Sequence, residues 1–308
     1  MKSGLRLIFL IVLLACGTAL LATLYVEHVR SPLRSTLTSS FQLLGKPVKL
    51  IDRMASRMVP VTALDERELG NTFRRHYDAQ VIDGDRNQDY LDAVMKEIKP
   101  FAHKPFPYRA YVIRNYGAPN AMALPGGVIL VTKELLDVVQ SESELVAVLA
   151  HELGHIELGH CFDAVRYQLL GRKIGTDALG ALADLTAQIL LRHAYSKITE
   201  DEADQYAYEL LVNSRYDPLS LGNSFGSLQR YPKRVSESPQ HADLIRDYFM
   251  SHPPLEIREA EFIDRASVWW KKHPKERRYV GRQNLSDRKA LGAGELNSEW
   301  RIAPPTRN

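Results

Sequence analysis

"SESELVAVLAHELGHIELGH", residues 141–160, sets three histidines and several glutamates in an otherwise apolar run. Ser141 stands where an N-cap belongs, and Glu144 three residues later completes capping-box spacing, so the segment reads as a helix with His151 well inside it. On a helix His151 and His155 are one turn apart on the same face, and two imidazoles so placed can reach one tetrahedral Zn²⁺. Glu152, beside the first histidine, is placed to take a proton from a water attacking a carbonyl and to pass one to the leaving amine. Two histidines and a carboxylate buried in an apolar helix would be costly without partners or a metal.

A third ligand is needed. The metzincin register puts Gly and then His where this chain has Leu158 and Cys161, so that class is excluded. His160 lies about half a helical circumference from His151 on a continuous helix and would point elsewhere, which leaves it a structural or packing role. In "SKITEDEADQYA", residues 196–207, Glu200 and Asp204 share a helical face. Glu200 would complete a His, His, Glu set with one position open, and Asp204 would orient a histidine by accepting its other N–H. Asp201 and Glu202 read as a solvated acidic helix start.

Upstream, "YRAYVIRN" and "AMALPGGVILVTKELLD" are β-rich runs, the second folded about a tight Gly126-Gly127 turn. "DYLDAVMKEIKPF" puts Leu91, Val94, Met95 and Ile98 on one helical face. Downstream, "IGTDALGALADLTAQILL" carries Asp177 and Asp184 on one face and reads as an amphipathic helix packed on the domain, not a membrane span.

The 308-residue chain balances 40 basic against 37 acidic residues, too evenly to attract nucleic acid through its long-range field. Its two cysteines, Cys16 and Cys161, cannot build a disulfide framework. Leu7 to Val26 is a run of 20 residues without a charge, preceded by Lys2 and Arg6. That length can cross a bilayer, and "LLAC" within it also fits a lipoprotein signal with lipid on Cys16; both readings end at a membrane. Lys2 and Arg6 favour an inside N-terminus, with the body of the chain outside the cytoplasm. The expected organisation is an anchor or lipoprotein signal over 1–30, a Pro-interrupted stalk over 31–61, a zinc metallopeptidase domain over 62–270, and a basic, partly disordered tail over 271–308.

Four motifs, "NAMALPGG" (120–127), "HELGH" (151–155), "YSKITEDEAD" (195–204) and "SHPP" (251–254) followed by Arg258, stand in the order in which they occur in the HtpX and CAAX-prenyl-protease type of zinc metallopeptidases. The chain resembles that family over roughly Tyr90 to Asp264. It looks most like the single-anchor branch, which includes the mitochondrial inner-membrane stress protease and bacterial periplasmic quality-control proteases. The resemblance implies a mainly helical α+β, zincin-like domain whose small sheet lays an edge strand beside the HExxH helix. It implies one zinc per chain on His151, His155 and Glu200, Glu152 as the catalytic acid/base, and Asp204 behind a ligand. His252 would approach the zinc, either to restrain the enzyme or to assist its transition state, and Arg258 would make a structural ion pair. Asn120, Ala121, Met122 and Ala123 would receive an extended polypeptide as an added strand. Ser196-Lys197 stands where the family carries Ser-Arg. The implied function is a membrane-tethered endopeptidase acting on misfolded or specific envelope proteins, in a bacterial periplasm; the alternative is a non-catalytic, zinc-containing protein-binding or chaperone module.

Overall fold

A computed structural model describes residues 63–114, 117–170, 195–231 and 255–302. The expected anchor, the stalk, the 174–191 helix and His252 lie outside these residues. Among the described residues no helix is long and apolar enough to cross a membrane.

Two helices open the domain, α1 (Ala63–Asp78) and α2 (Arg86–Ile98). In α2 the predicted stripe is real: Leu91, Val94, Met95 and Ile98 are all buried. Asp85 caps the helix by accepting from the Asn87 N–H at 3.1 Å. A three-stranded sheet follows, β1 (Arg109–Ile113), β2 (Ala121–Leu124) and β3 (Val128–Thr132), in the order β1-β3-β2. β2 and β3 are antiparallel about the Gly126-Gly127 turn, whereas β1 runs parallel to β3. β3 is buried along its whole length because it lies in the middle.

The two edges of this sheet are treated differently. Along β1, the Gln88 side chain of α2 does the work of a missing strand. Its amide N–H donates to the Ala110 carbonyl and its amide oxygen accepts from the Val112 N–H, each at 2.9 Å. β2 forms the other edge, lying against α4 (Glu142–Glu157). The short helix α3 (Lys133–Val138) connects β3 to it.

Every residue of α4 from Glu142 to Ile156 is buried, its polar side chains included. Ser141 caps it, accepting from the Glu144 N–H at 3.2 Å. The reciprocal bond of a capping box is displaced by one residue, since the Glu144 carboxylate accepts from Gln140 rather than from Ser141. Around α4 pack α5 (His160–Leu170), α6 (Lys197–Asn213) and α7 (Leu219–Arg230), and α8 (Leu255–Lys272) packs on α7. The result is a mainly helical α+β domain with a small mixed sheet, as expected.

The tail differs from expectation. Residues 271–302 are not a solvated extension: they form β4 (Arg278–Tyr279), α9 (Arg282–Asp287) and β5 (Trp300–Arg301), and belong to one compact unit beginning at Val61. Tyr279 and Leu291 are buried to 2% exposure or less. Gly281 and Val280 accept the Glu142 and Ser143 N–H groups, the orphan donors at the start of α4, both at 3.0 Å. The Leu291 N–H donates to the Glu142 carboxylate at 2.8 Å, and Arg301 pairs with the buried Asp217. The basic composition misleads because its charges flank a few apolar anchors whose burial decides the conformation.

Candidate metal centre

Two i,i+4 pairs on adjacent helices build the site. α4 presents His151 and His155, and α6 presents Glu200 and Asp204. Ser196 starts α6, accepting from the Thr199 N–H at 3.3 Å, and so fixes Glu200 in the first turn. The helices approach closely at Gly154, where a Cβ would stand 3.1 Å from the Ala203 carbonyl. This glycine within "HELGH" therefore lets the two helices approach, since a Cβ there would force its neighbours to shift by a few tenths of an ångström.

His151 and His155 bring their Nε2 atoms to 3.1 Å from each other. Glu200 closes the triangle, with Oε1 3.2 Å from His155 Nε2 and Oε2 3.6 Å from His151 Nε2. All three side chains are buried, and among the described residues they form a set of donors that could hold a metal ion. A tetrahedral ion with bonds of about 2.0–2.1 Å would separate its donors by about 3.3 Å, so the triangle has the size of one face of a zinc coordination sphere. Nitrogen and carboxylate donors are also the types that zinc accepts.

Each donor is held from behind. Asp204 Oδ1 lies 2.8 Å from His151 Nδ1. Arg258 grips Asp204 with two hydrogen bonds, of 2.7 and 2.6 Å, and reaches Glu200 Oε2 at 3.0 Å. Its guanidinium lies over the Phe225 ring, 4.2 Å from the centroid. Burial alone would raise the Asp204 carboxyl, but Arg258 and the His151 bond outweigh it and hold the group below its ordinary value. Tyr195 stacks on the His155 ring at 4.1 Å, and burial pushes its phenol well up.

Glu152 reaches the sheet with one carboxylate oxygen. Its Oε2 accepts from the Ala123 N–H of β2 at 2.8 Å, on the side of β2 away from β3. Asn120, Ala121 and Ala123 are buried and Met122 is partly exposed. Asn120 extends the pairing of β2, its carbonyl accepting from the Thr132 N–H at 2.9 Å.

The donor set is one that could hold a metal ion, and comparison with known proteins bears on its use. The sequence profile of peptidase family M48 matches residues 85–265. The chain belongs to peptidase family M48. Among its relatives are the metalloprotease LoiP of Escherichia coli, 29% identical over 54% of this chain and 64% of LoiP, and the beta-barrel assembly-enhancing protease of Yersinia pestis, 27% identical over 54% of this chain and 36% of that protein. The mitochondrial metalloendopeptidase OMA1 of Arabidopsis thaliana is 27% identical over 44% of this chain and 27% of its own length. The chain thus spans less than two-thirds of each of these relatives. Membership implies a divalent metal, typically zinc, and polypeptide substrates.

Of the residues singled out from sequence, His151, His155, Glu200 and Asp204 come together, with Glu152 and Ala123 beside them. Arg258 forms the expected ion pair, although its reach to Glu200 as well as Asp204 was not foreseen. Tyr195 and Glu202 were also missed as neighbours of the site. His160 lies directly behind His155 instead of across the helix, because α4 ends at Glu157 and the chain turns at Gly159 (φ 81°) before α5. The glycine was the available signal, since a left-handed residue ends a helix.

Proposed function

We propose that this M48 member is a zinc-dependent endopeptidase, tethered to a membrane by residues 1–30, whose domain faces a compartment outside the cytoplasm. The observation that carries the catalytic reading is the buried triangle of His151, His155 and Glu200 with Glu152 hydrogen-bonded to the adjacent edge strand. The three protein donors found among the described residues leave a four-coordinate ion one open position, whereas a purely structural zinc is normally closed by a fourth protein ligand. When bound, zinc supplies a Lewis acid that polarises a peptide carbonyl and makes water more acidic.

The chain's own groups supply the rest. His151, His155 and Glu200 hold the ion, while Asp204 and Arg258 keep His151 and Glu200 in position. Glu152 takes the proton of the attacking water and returns one to the leaving amine. The Ala123 N–H steadies one oxygen of that carboxylate, which ties the acid/base to the strand proposed to receive substrate. An extended polypeptide running beside Asn120, Ala121, Met122 and Ala123 would lay its scissile bond next to Glu152. Internal cleavage is supported by the metalloendopeptidase name of the mitochondrial relative, and an envelope substrate by the beta-barrel assembly-enhancing relative.

Glu152→Gln tests the reading. It should keep zinc nearly as well as wild type while hydrolysis of an unfolded protein substrate falls at least about 100-fold, the scale of a positioned acid/base. Comparable turnover by a zinc-loaded Glu152→Gln chain would refute the assignment and favour a non-catalytic binding module.

A further inference from the structure

His155 is supported differently from His151, and the difference assigns a role to two residues outside the ligand set. Both histidines point Nε2 inward, so both must partner Nδ1 outward. For His151 the partner is the Asp204 carboxylate. For His155 it is another imidazole: His160 Nδ1 stands 3.0 Å from His155 Nδ1, and His160 Nε2 stands 3.1 Å from Glu202 Oε2.

One arrangement of protons satisfies this line while leaving His155 able to bind a cation. A neutral imidazole carries its proton on one nitrogen only. If His155 Nε2 keeps its lone pair, Nδ1–H must donate, and His160 Nδ1 must accept. His160 then carries its proton on Nε2 and donates it to Glu202. The opposite direction would put a proton on His155 Nε2, the atom that faces His151 Nε2 at 3.1 Å and the Glu200 carboxylate at 3.2 Å, and would use up the lone pair a cation needs. The Glu202 carboxylate, which can only accept while ionised, sets the direction.

We infer that His160, anchored by Glu202, is a positioning residue of the metal centre that fixes the tautomer and ring plane of His155. This rests on the reading of His155 as a ligand. The ring is clamped by Tyr195 stacked on its face at 19° and by His160 set across it at 69°. His160 is 6% exposed, so its nitrogens require partners, whereas the Glu202 side chain is 40% exposed and remains in contact with solvent. The left-handed turn at Gly159 brings His160 back beneath His155. Glu202 comes from the same helix as Glu200, so α6 supplies both a donor to the ion and the support of a second donor.

The test compares isosteres in the full-length chain. Asn places its side-chain oxygen near the position of His Nδ1, whereas Leu fills the space without an acceptor. His160→Asn should hold zinc within about threefold of wild type in chelator competition. His160→Leu should lose about 10- to 100-fold in zinc affinity, the usual effect of removing a ligand's supporting partner. The metal-free melting temperatures of the two variants should agree. If the Leu chain does not fold, His160→Gln replaces it, because Gln carries its oxygen one atom too far out and should lose zinc likewise. Wild-type zinc affinity in the Leu or Gln variant would overturn the inference. So would equal losses in all variants that follow their metal-free stability, the signature of packing alone. A wild-type chain that bound no zinc, or His155→Ala retaining it fully, would instead overturn the metal-centre reading, and this inference with it.

Discussion

At the scale of single residues, the site depends on which carboxylate of α6 turns inward. Glu200 and Glu202 are two positions apart, yet Glu200 is 1% exposed and meets His151 and His155 while Glu202 meets His160. Glu200→Ala should therefore weaken zinc binding by at least about 100-fold, and Glu202→Ala by about tenfold, as ligand and supporting partner differ. Zinc titrations of the two variants check this, and equal affinities would mean that the ligand lies elsewhere. The donors were legible in the sequence because His151 with His155, and Glu200 with Asp204, obey the one-turn rule within a helix. His160 was not legible, because its place depends on a break at Gly159 that periodicity cannot register. The bond from Ala123 to Glu152 was hidden for another reason: it joins a strand to a helix 29 residues away, and pattern within one element does not report such pairings.

Among the elements, α4 shows how a buried helix is held at its start. Glu142 in its first turn accepts from the Tyr90 hydroxyl at 3.0 Å, the Tyr216 hydroxyl at 2.9 Å and the Leu291 N–H at 2.8 Å, joining α2, the loop after α6 and the C-terminal segment. Burial nevertheless pushes its carboxyl up to about 7, the three bonds offsetting only part of the desolvation. Because the folded value lies above the unfolded one, the fold binds the proton more tightly. This group's contribution is then fully present below the unfolded value and is lost as pH rises toward 7. The shift corresponds to roughly 3 kcal/mol. Urea unfolding of Glu142→Gln and wild type at pH 4.5 and pH 8 should show wild type losing roughly that much relative to the variant between the two. Parallel stabilities would show that the carboxyl ionises normally. The helix and its Ser141 cap could be read from sequence; the burial of Glu142 could not, since an acidic residue in a first turn ordinarily faces water.

For the molecule as a whole, the C-terminal segment belongs to the working domain although the family match ends at residue 265. A chain ending at Lys272 would lose the partners of the first α4 donors, one acceptor bond of Glu142, the Arg301 partner of Asp217, and the buried Tyr279 and Leu291. Each buried side chain removed costs about 2–5 kcal/mol, enough together to exceed the stability of a typical domain. Such a chain should be protease-sensitive and retain little zinc, as limited proteolysis and metal analysis would show; unchanged resistance and zinc content would make the segment dispensable. Its role was illegible because "KKHPKERRYVGR" averages to a solvated composition, while the burial of Tyr279 and Val280 outweighs their charged neighbours. The Gln88 amide on β1 has a wider consequence. A sheet receptive at both margins could join copies head to tail, the β1 of one pairing with the β2 of the next, and such contacts propagate without closing. With β1 sealed and β2 receptive, as proposed, the enzyme is one-sided: it can take up a foreign chain without becoming the chain that its neighbour takes up.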